Sequence, residues 1–329
     1  MREPVEENHH IVPAIGIDMG GTKVNGVVVG LQGEVIAETR IAHDGSGQAA
    51  LDAAVAVILR LADSEPGRRA DRVGMAVAGL VDRDNDELVH GALLGLRDSR
   101  LGELVAARAQ LPLIIENDAN ATLAGVLPEE VPLDSHEVTL LIALGTGVGG
   151  ALSVGRAIVE GSRGFAGEFG HIPVEPPGSL QCPCGSNGCL ELFASGTSVA
   201  RIASELGAGT PVTAEDVVAA AHAGDAGALA VLSSAGRAIG TALTGLLSAL
   251  DPATVYISGG FGHGAAPYLI PAIAARLAAQ RSFAESRPQP RIVPDPVGPI
   301  AAALGAARLA QHRAPTVLPV VPTERYETP

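Results

Sequence analysis

Three cysteines fall within eight residues of this chain, framed by a histidine and two glutamates. It reads Glu168-Phe-Gly-His171, ten intervening residues, Cys182-Pro-Cys184, four more, and Cys189-Leu-Glu191. The sequence holds no other cysteine. Three thiolates and one imidazole form a donor set that zinc takes in a closed tetrahedral site. Pro183, Gly185 and Gly188 lie between the sulfurs, where a tight knuckle needs turn-forming residues. The plainer alternative is three unpaired core thiols beside an ordinary histidine; clustering and spacing favour the metal. Such a metal is structural, because four protein ligands leave no position for a reacting water. Its consequence for function is that Glu168 and Glu191 are held in place.

A second chemistry is written in glycine. Asp18-Met-Gly20-Gly21-Thr22-Lys23 follows one apolar run and opens another. That pattern predicts two strands joined by a tight glycine turn. A Walker loop or a dinucleotide fingerprint would require a helix after the turn. Glycines let backbone N–H groups approach an anion, Thr22 adds a hydroxyl donor, and Asp18 is placed to hold a hydrated Mg²⁺. Lys23 is the only lysine among 22 basic residues, which makes its position beside this turn notable. About 125 residues later Leu144-Gly145-Thr146-Gly147-Val148-Gly-Gly repeats the scheme between two further apolar runs. The pair suggests duplicated α/β halves. A third cluster, Ser258-Gly259-Gly260, ends another apolar run and could admit an adenine ring or ribose against backbone; a simple strand-to-helix loop is an even alternative.

Leu111–Ile115 predicts a short strand that runs into Glu116-Asn117-Asp118-Ala-Asn120 and then helix formers. Polar side chains at a strand end, ahead of a helix, stand at the mouth of an α/β crevice. Either Asn117 or Asp118 could instead simply cap that helix.

These motifs need a substantial scaffold. The chain has 329 residues, 47% of them hydrophobic, which supplies ample core and excludes disorder. Its net charge of −14 excludes an electrostatic nucleic-acid partner. No uninterrupted run of 18 apolar residues is evident, and Met1–Pro13 lacks a signal-peptide core; a cytoplasmic protein with no membrane partner is expected. Val73–Asp82 reads as one buried strand ending near the crevice. Leu51–Leu61, Ala228–Leu250 and Ile300–Gln311 read as helices. His9 and His10 read as solvated tail, Asp82–Glu87 as an exposed acidic turn, and Arg68-Arg69 as too small a basic patch for nucleic acid.

In this order and spacing the motifs resemble the ROK family of sugar kinases, with bacterial glucokinases nearest in character, from about Ile15 to about Arg313. The resemblance implies an α/β, two-lobed actin-like ATPase (ribonuclease H-like) fold with a zinc knuckle. It implies a tail over 1–13, a small lobe over 14–118 with 297–313, a large lobe over 119–296, and a tail over 314–329. It implies phosphoryl transfer from ATP with Mg²⁺ to a sugar hydroxyl, Asp118 serving as general base. An ordinary carboxylate has a pKa of about 3.9, so it orients the hydroxyl and accepts the proton late. On the sugar side it implies Gly79, Asn117, Asp118, Glu168, His171 and Glu191. On the nucleotide side it implies Asp18, Gly20, Gly21, Thr22, Lys23, Gly145, Thr146, Gly147, Gly259 and Gly260. His171, Cys182, Cys184 and Cys189 hold structural Zn²⁺ in the family, and a homodimer or homotetramer is its habit.

One departure bears on substrate. Many ROK glucokinases carry an Asn-Leu-x-x-Trp-like stretch, for which this chain has Gly91-Ala-Leu93-Leu94-Gly95-Leu96-Arg97-Asp98. Leucines in place of the Asn and Trp make the wall more aliphatic and remove a hydrogen-bonding group. Glucose stays the leading expectation; an amino sugar or a sugar-like cyclitol competes. A sugar-responsive ROK regulator without catalysis is less expected, since those carry a DNA-binding domain ahead of the first strand and about fourteen residues stand there here.

Overall fold

The structure, a computed structural model, describes residues 12–82, 87–91, 96–132, 135–176, 179–207, 212–279 and 288–313. His9, His10, residues 83–86 of the acidic run, Leu93, Leu94, Gly95 and the 314–329 tail lie outside them. The chain divides into two compact units, Met1–Gly125 with Ile300–Pro329, and Val126–Pro299. Elements are numbered in chain order.

In the first unit, β1 (Ala14–Met19) and β2 (Lys23–Val29) form the expected antiparallel hairpin, extended on one side by β3 (Val35–Ala42). On the other side β4 (Val73–Val77) pairs parallel with β1, and β8 (Leu113–Asn117) parallel with β4. β4 is buried throughout, as near-continuous apolar strands covered on both faces must be, whereas β3 alternates toward water. One face packs on α1 (Gly47–Ala62), whose first turn is capped by the Ser46 hydroxyl accepting from Ala49 N–H at 3.2 Å, and on α2 (Leu101–Ala109).

The Val73–Asp82 segment is not one strand. β4 stops at Val77, Gly79 adopts φ +145°, and β5 (Leu80–Asp82) joins a separate three-stranded sheet with β6 (Glu87–Gly91) and β7 (Leu96–Ser99). The glycine turn sends the chain out of the first sheet, which apolar patterning alone could not reveal. α3 (Asp118–Val126) begins directly after β8.

The second unit repeats this order. β9 (Val138–Leu144) and β10 (Val148–Val154) form the second hairpin, β11 (Ala157–Ile158) adds to its outer edge, and β12 (Thr254–Ser258) and β13 (Arg291–Pro294) continue parallel from β9. The sheet orders β3-β2-β1-β4-β8 and β11-β10-β9-β12-β13 have the same plan, which is the duplication the two glycine motifs suggest. Its core lies among α4 (Glu191–Ala194), α5 (Gly196–Leu206), α6 (Ala214–His222), α7 (Ala226–Leu250) and α8 (Gly260–Ala278). Among the described residues α7 alone is long and apolar enough to cross a bilayer, and half of that stretch is buried in this core.

α9 (Ala301–His312) then returns to the first unit. It lies against the second face of the first sheet at unusually close range. A Cβ built on Gly16 would stand 1.9 Å from the Ala303 carbonyl oxygen, and one on Gly74 1.9 Å from that of Ala306. Gly16 and Gly74 are register partners on β1 and β4, so together they form the floor on which α9 rests.

Candidate active site

In the first unit the chemistry-bearing residues gather at the carboxyl edge of the parallel strands. The register aligns Asp18 with Ala76 and Ala76 with Glu116, so the β1–β2 turn and the start of α3 emerge from the same edge. With strands spaced about 4.8 Å apart, β1 and β8 are separated there by about 10 Å. The turn is closed by Gly20 N–H donating to the Lys23 carbonyl at 3.1 Å. Asp18 is half-buried and accepts from Asn25 Nδ2 at 3.2 Å. Desolvation pushes its carboxyl up to about 6, against the opposing pull of the Asn25 hydrogen bond and the Lys23 charge. Thr22 is exposed and Lys23 half-buried.

His43 is a residue that sequence reasoning missed. Its Nε2 lies 3.0 Å from the Gly20 carbonyl oxygen, and its Nδ1 accepts Gly45 N–H at 3.2 Å. An Nδ1 that accepts leaves the proton on Nε2, so the ring donates to Gly20 and braces the glycine turn from outside. Histidine two residues before a glycine, just after an edge strand, is too common a pattern to have signalled this.

Asn117 does cap α3. Its Oδ1 accepts from Ala119 N–H at 2.9 Å and Asn120 N–H at 3.1 Å, while its Nδ2 donates to the Gly79 carbonyl at 2.9 Å. Gly79 and Asn117, both predicted on the sugar side, are thereby tied together. Asp118 is half-buried at the helix start, with Oδ1 accepting from Ala119 N–H at 2.9 Å. Beneath it Glu116 is 1% exposed, ion-paired with Arg313 at 2.8 Å, and accepts from Asn117 N–H and Asn120 Nδ2. The charge of Glu116 thus anchors the loop from inside, a role hidden in sequence because Arg313 lies 197 residues away.

In the second unit the Gly145-Thr146-Gly147 turn is closed by Gly145 N–H donating to the Gly147 carbonyl at 3.0 Å. Gly259, at φ +84°, abuts it: a Cβ there would stand 2.3 Å from the Leu144 carbonyl oxygen, so only glycine fits. Gly260 opens α8 with open space beside it. Glu191, expected on the sugar side, directs Oε2 to the Val148 N–H at 2.9 Å and so braces this second hairpin.

The knuckle residues converge. The donor atoms of His171, Cys182, Cys184 and Cys189 all lie within 4.8 Å of one another. Cys182 Sγ stands 3.7 Å from His171 Nδ1, and Cys184 Sγ 3.6 Å from Cys189 Sγ. Ligands held about 2.0–2.3 Å from one tetrahedral ion are spaced by about 3.5–3.8 Å, so the cluster is compatible with a zinc site. Burial pushes the Cys189 thiol up to about 12, while the Ser186 N–H and the Cys182 thiol lower exposed Cys184 to about 7. Nδ1 of His171 faces the sulfurs, and its Nε2 lies 3.8 Å from Glu168 Oε2. Phe169, between them, is buried where Gly150 of β10 leaves room, which packs the Glu168–His171 turn on the second hairpin.

Comparison with known proteins agrees with this geometry. A profile of the ROK family matches residues 14–313. The glucokinase of Halalkalibacterium halodurans is 34% identical over 264 residues, which span 75% of this chain and 79% of that protein. The N-acetylmannosamine kinase of Yersinia pseudotuberculosis is 32% identical over 250 residues, spanning 75% and 83%. A crystal structure of a ROK family glucokinase from Streptomyces griseus, in complex with glucose and AMPPNP, aligns with TM-score 0.77 and 29% identity over 92% of this chain and all of that one. Two glycine hairpins on a duplicated α/β plan, a Cys-His knuckle and these matches agree: the chain belongs to the ROK family and is one of its sugar kinases, a phosphotransferase.

Proposed function

We propose that the chain transfers the γ-phosphoryl group of ATP to a hydroxyl of a hexose, with O6 of glucose the leading acceptor and Asp118 the general base. The observation that carries this reading is the placement of Asp118 on the sheet edge that also bears the Asp18–Lys23 turn. An ionised carboxylate there can accept a hydrogen bond from the acceptor hydroxyl and take its proton as the new P–O bond forms. Backbone N–H groups of the Gly20-Gly21 and Gly145–Gly147 turns would cradle phosphates, and Lys23 would offset their charge. Asp18 would hold the hydrated Mg²⁺ that accompanies ATP. Glu168, His171 and Glu191 remain assigned to the sugar side, with Glu191 also bracing its hairpin. His171 with the three cysteines would hold zinc, whose contribution is rigidity. A cytoplasmic homo-oligomer belongs to the same reading.

The similarity to an N-acetylmannosamine kinase supports a second acceptor class, amino sugars, as do the leucines at 93 and 96. One assay decides: ADP release with ATP against glucose, other hexoses, N-acetylhexosamines and cyclitols. Glucose should give the highest kcat/KM. A preference of more than about tenfold for an N-acetylhexosamine would transfer the assignment to that class, and no turnover with any member would remove the kinase mechanism.

A further inference from the structure

The second unit also carries a buried carboxylate that none of these motifs contains. Asp295 follows β13 directly and is 2% exposed. Its Oδ1 accepts the backbone N–H groups of Val297 at 3.0 Å and Gly298 at 2.5 Å. Its Oδ2 accepts the Ser258 hydroxyl at 2.5 Å and faces His263 Nδ1 at 3.4 Å. Ser258 and Asp295 are neighbours because β12 and β13 run parallel with Ile257 opposite Pro294. His263 stands in the first turn of α8, just past Gly259-Gly260, with its side chain 43% exposed. Among the described residues its Nε2 has no partner.

A buried carboxylate is costly unless its oxygens are satisfied, and a strand-end junction does not require one. Here three hydrogen bonds satisfy it, fixing the Val297–Gly298 turn and the end of β12, and its Oδ2 also faces an imidazole. A carboxylate only accepts, so it selects the proton on Nδ1 and leaves Nε2 as a lone-pair acceptor turned outward. The Ser258 hydroxyl donates to the carboxylate rather than to the ring and is 3% exposed, which rules out a nucleophile in this trio. Beside the ring, Gly260 leaves open space along the backbone.

We propose that His263 Nε2 accepts a hydrogen bond from the adenosine part of the phosphoryl donor, given either by the 6-amino group of the base or by the ribose 2′-hydroxyl. His263 is then a specificity-determining residue for the nucleotide, held by Asp295. This rests on the reading of Gly259-Gly260 as part of the nucleotide site.

The test is calorimetric titration of Mg-ATP, Mg-ITP and Mg-2′-deoxy-ATP into the full chain and into His263→Ala and His263→Gln, without sugar. ITP exchanges the amino donor for a carbonyl, and 2′-deoxy-ATP removes the hydroxyl. The alanine variant should bind ATP about 3- to 10-fold more weakly, the scale of one hydrogen bond. Its affinity for one of the two analogues should stay unchanged, so that the discrimination disappears; the analogue that does so identifies the donor group. Glutamine, whose amide oxygen can take the place of Nε2, should restore ATP affinity. Unchanged ATP affinity in a folded alanine variant, or equal weakening of all three nucleotides, overturns the proposal. Failure of the unmodified chain to bind ATP overturns the nucleotide-site reading beneath it as well.

Discussion

Asp118 sits between a buried anchor and a cap: Glu116 fixes the loop from below, and Asn117 ties it to Gly79. The carboxylate can therefore be neutralised without disturbing its supports. Asp118→Asn should melt at the temperature of the parent and still bind ATP, while turnover falls by roughly 10²–10⁴; retention of a near-parental rate in a coupled ADP assay would remove the base role. Asp18 invites a different experiment. Its folded-state pKa of about 6 lies above the ordinary value of 3.8, so between those pH values the folded chain binds the proton more tightly than the unfolded one. That contribution is fully present below the ordinary value and is lost as pH rises through about 6. Asp18→Asn escapes the loss, so without ligand it should melt higher than the parent above that range, and the difference should shrink to nothing toward pH 4. It should also use MgATP poorly. A melting difference that stays constant with pH would refute the desolvation argument.

At the scale of the element, the knuckle joins two tasks. Its last cysteine, Cys189, stands two residues before Glu191, and Glu191 holds the Val148 end of the second hairpin. Cys184→Ser should lower bound zinc, measured by elemental analysis, and should raise KM for both sugar and ATP by about tenfold or more, the scale of lost support around a metal. Full activity in protein shown to be free of zinc would make the knuckle dispensable. The glycine–threonine turns, the knuckle and the strand–helix junction at Asp118 were all legible, because each is encoded within one short contiguous stretch of sequence. What was not legible depends on register or on sequence-distant pairs. Gly79 breaks the apolar run that reads as one strand, Arg313 neutralises Glu116 from the far end of the chain, and Asp295 meets Ser258 only because β12 and β13 align. His43 belongs with these, since its partner Gly20 is 23 residues away.

For the molecule as a whole, the same sheet plan occurs twice, but its two copies are completed differently. The second unit is one continuous segment, whereas the first closes only with α9. Gly74 records how tightly that closure fits. Gly74→Ala would drive a methyl group into the Ala306 carbonyl and should cost about 1–3 kcal/mol of stability by urea unfolding, the scale of overpacking. An unchanged midpoint would mean that α9 rides higher on the sheet than it does in this structure.

The late arrival of α9 also sets an order of assembly on the ribosome. Translation ordinarily lets the leading domain finish first. Here β1 and β4 emerge early, yet the helix that covers Gly16 and Gly74 is made only after the entire second unit. During that interval one face of the nascent sheet lacks the helix that covers it in the finished fold.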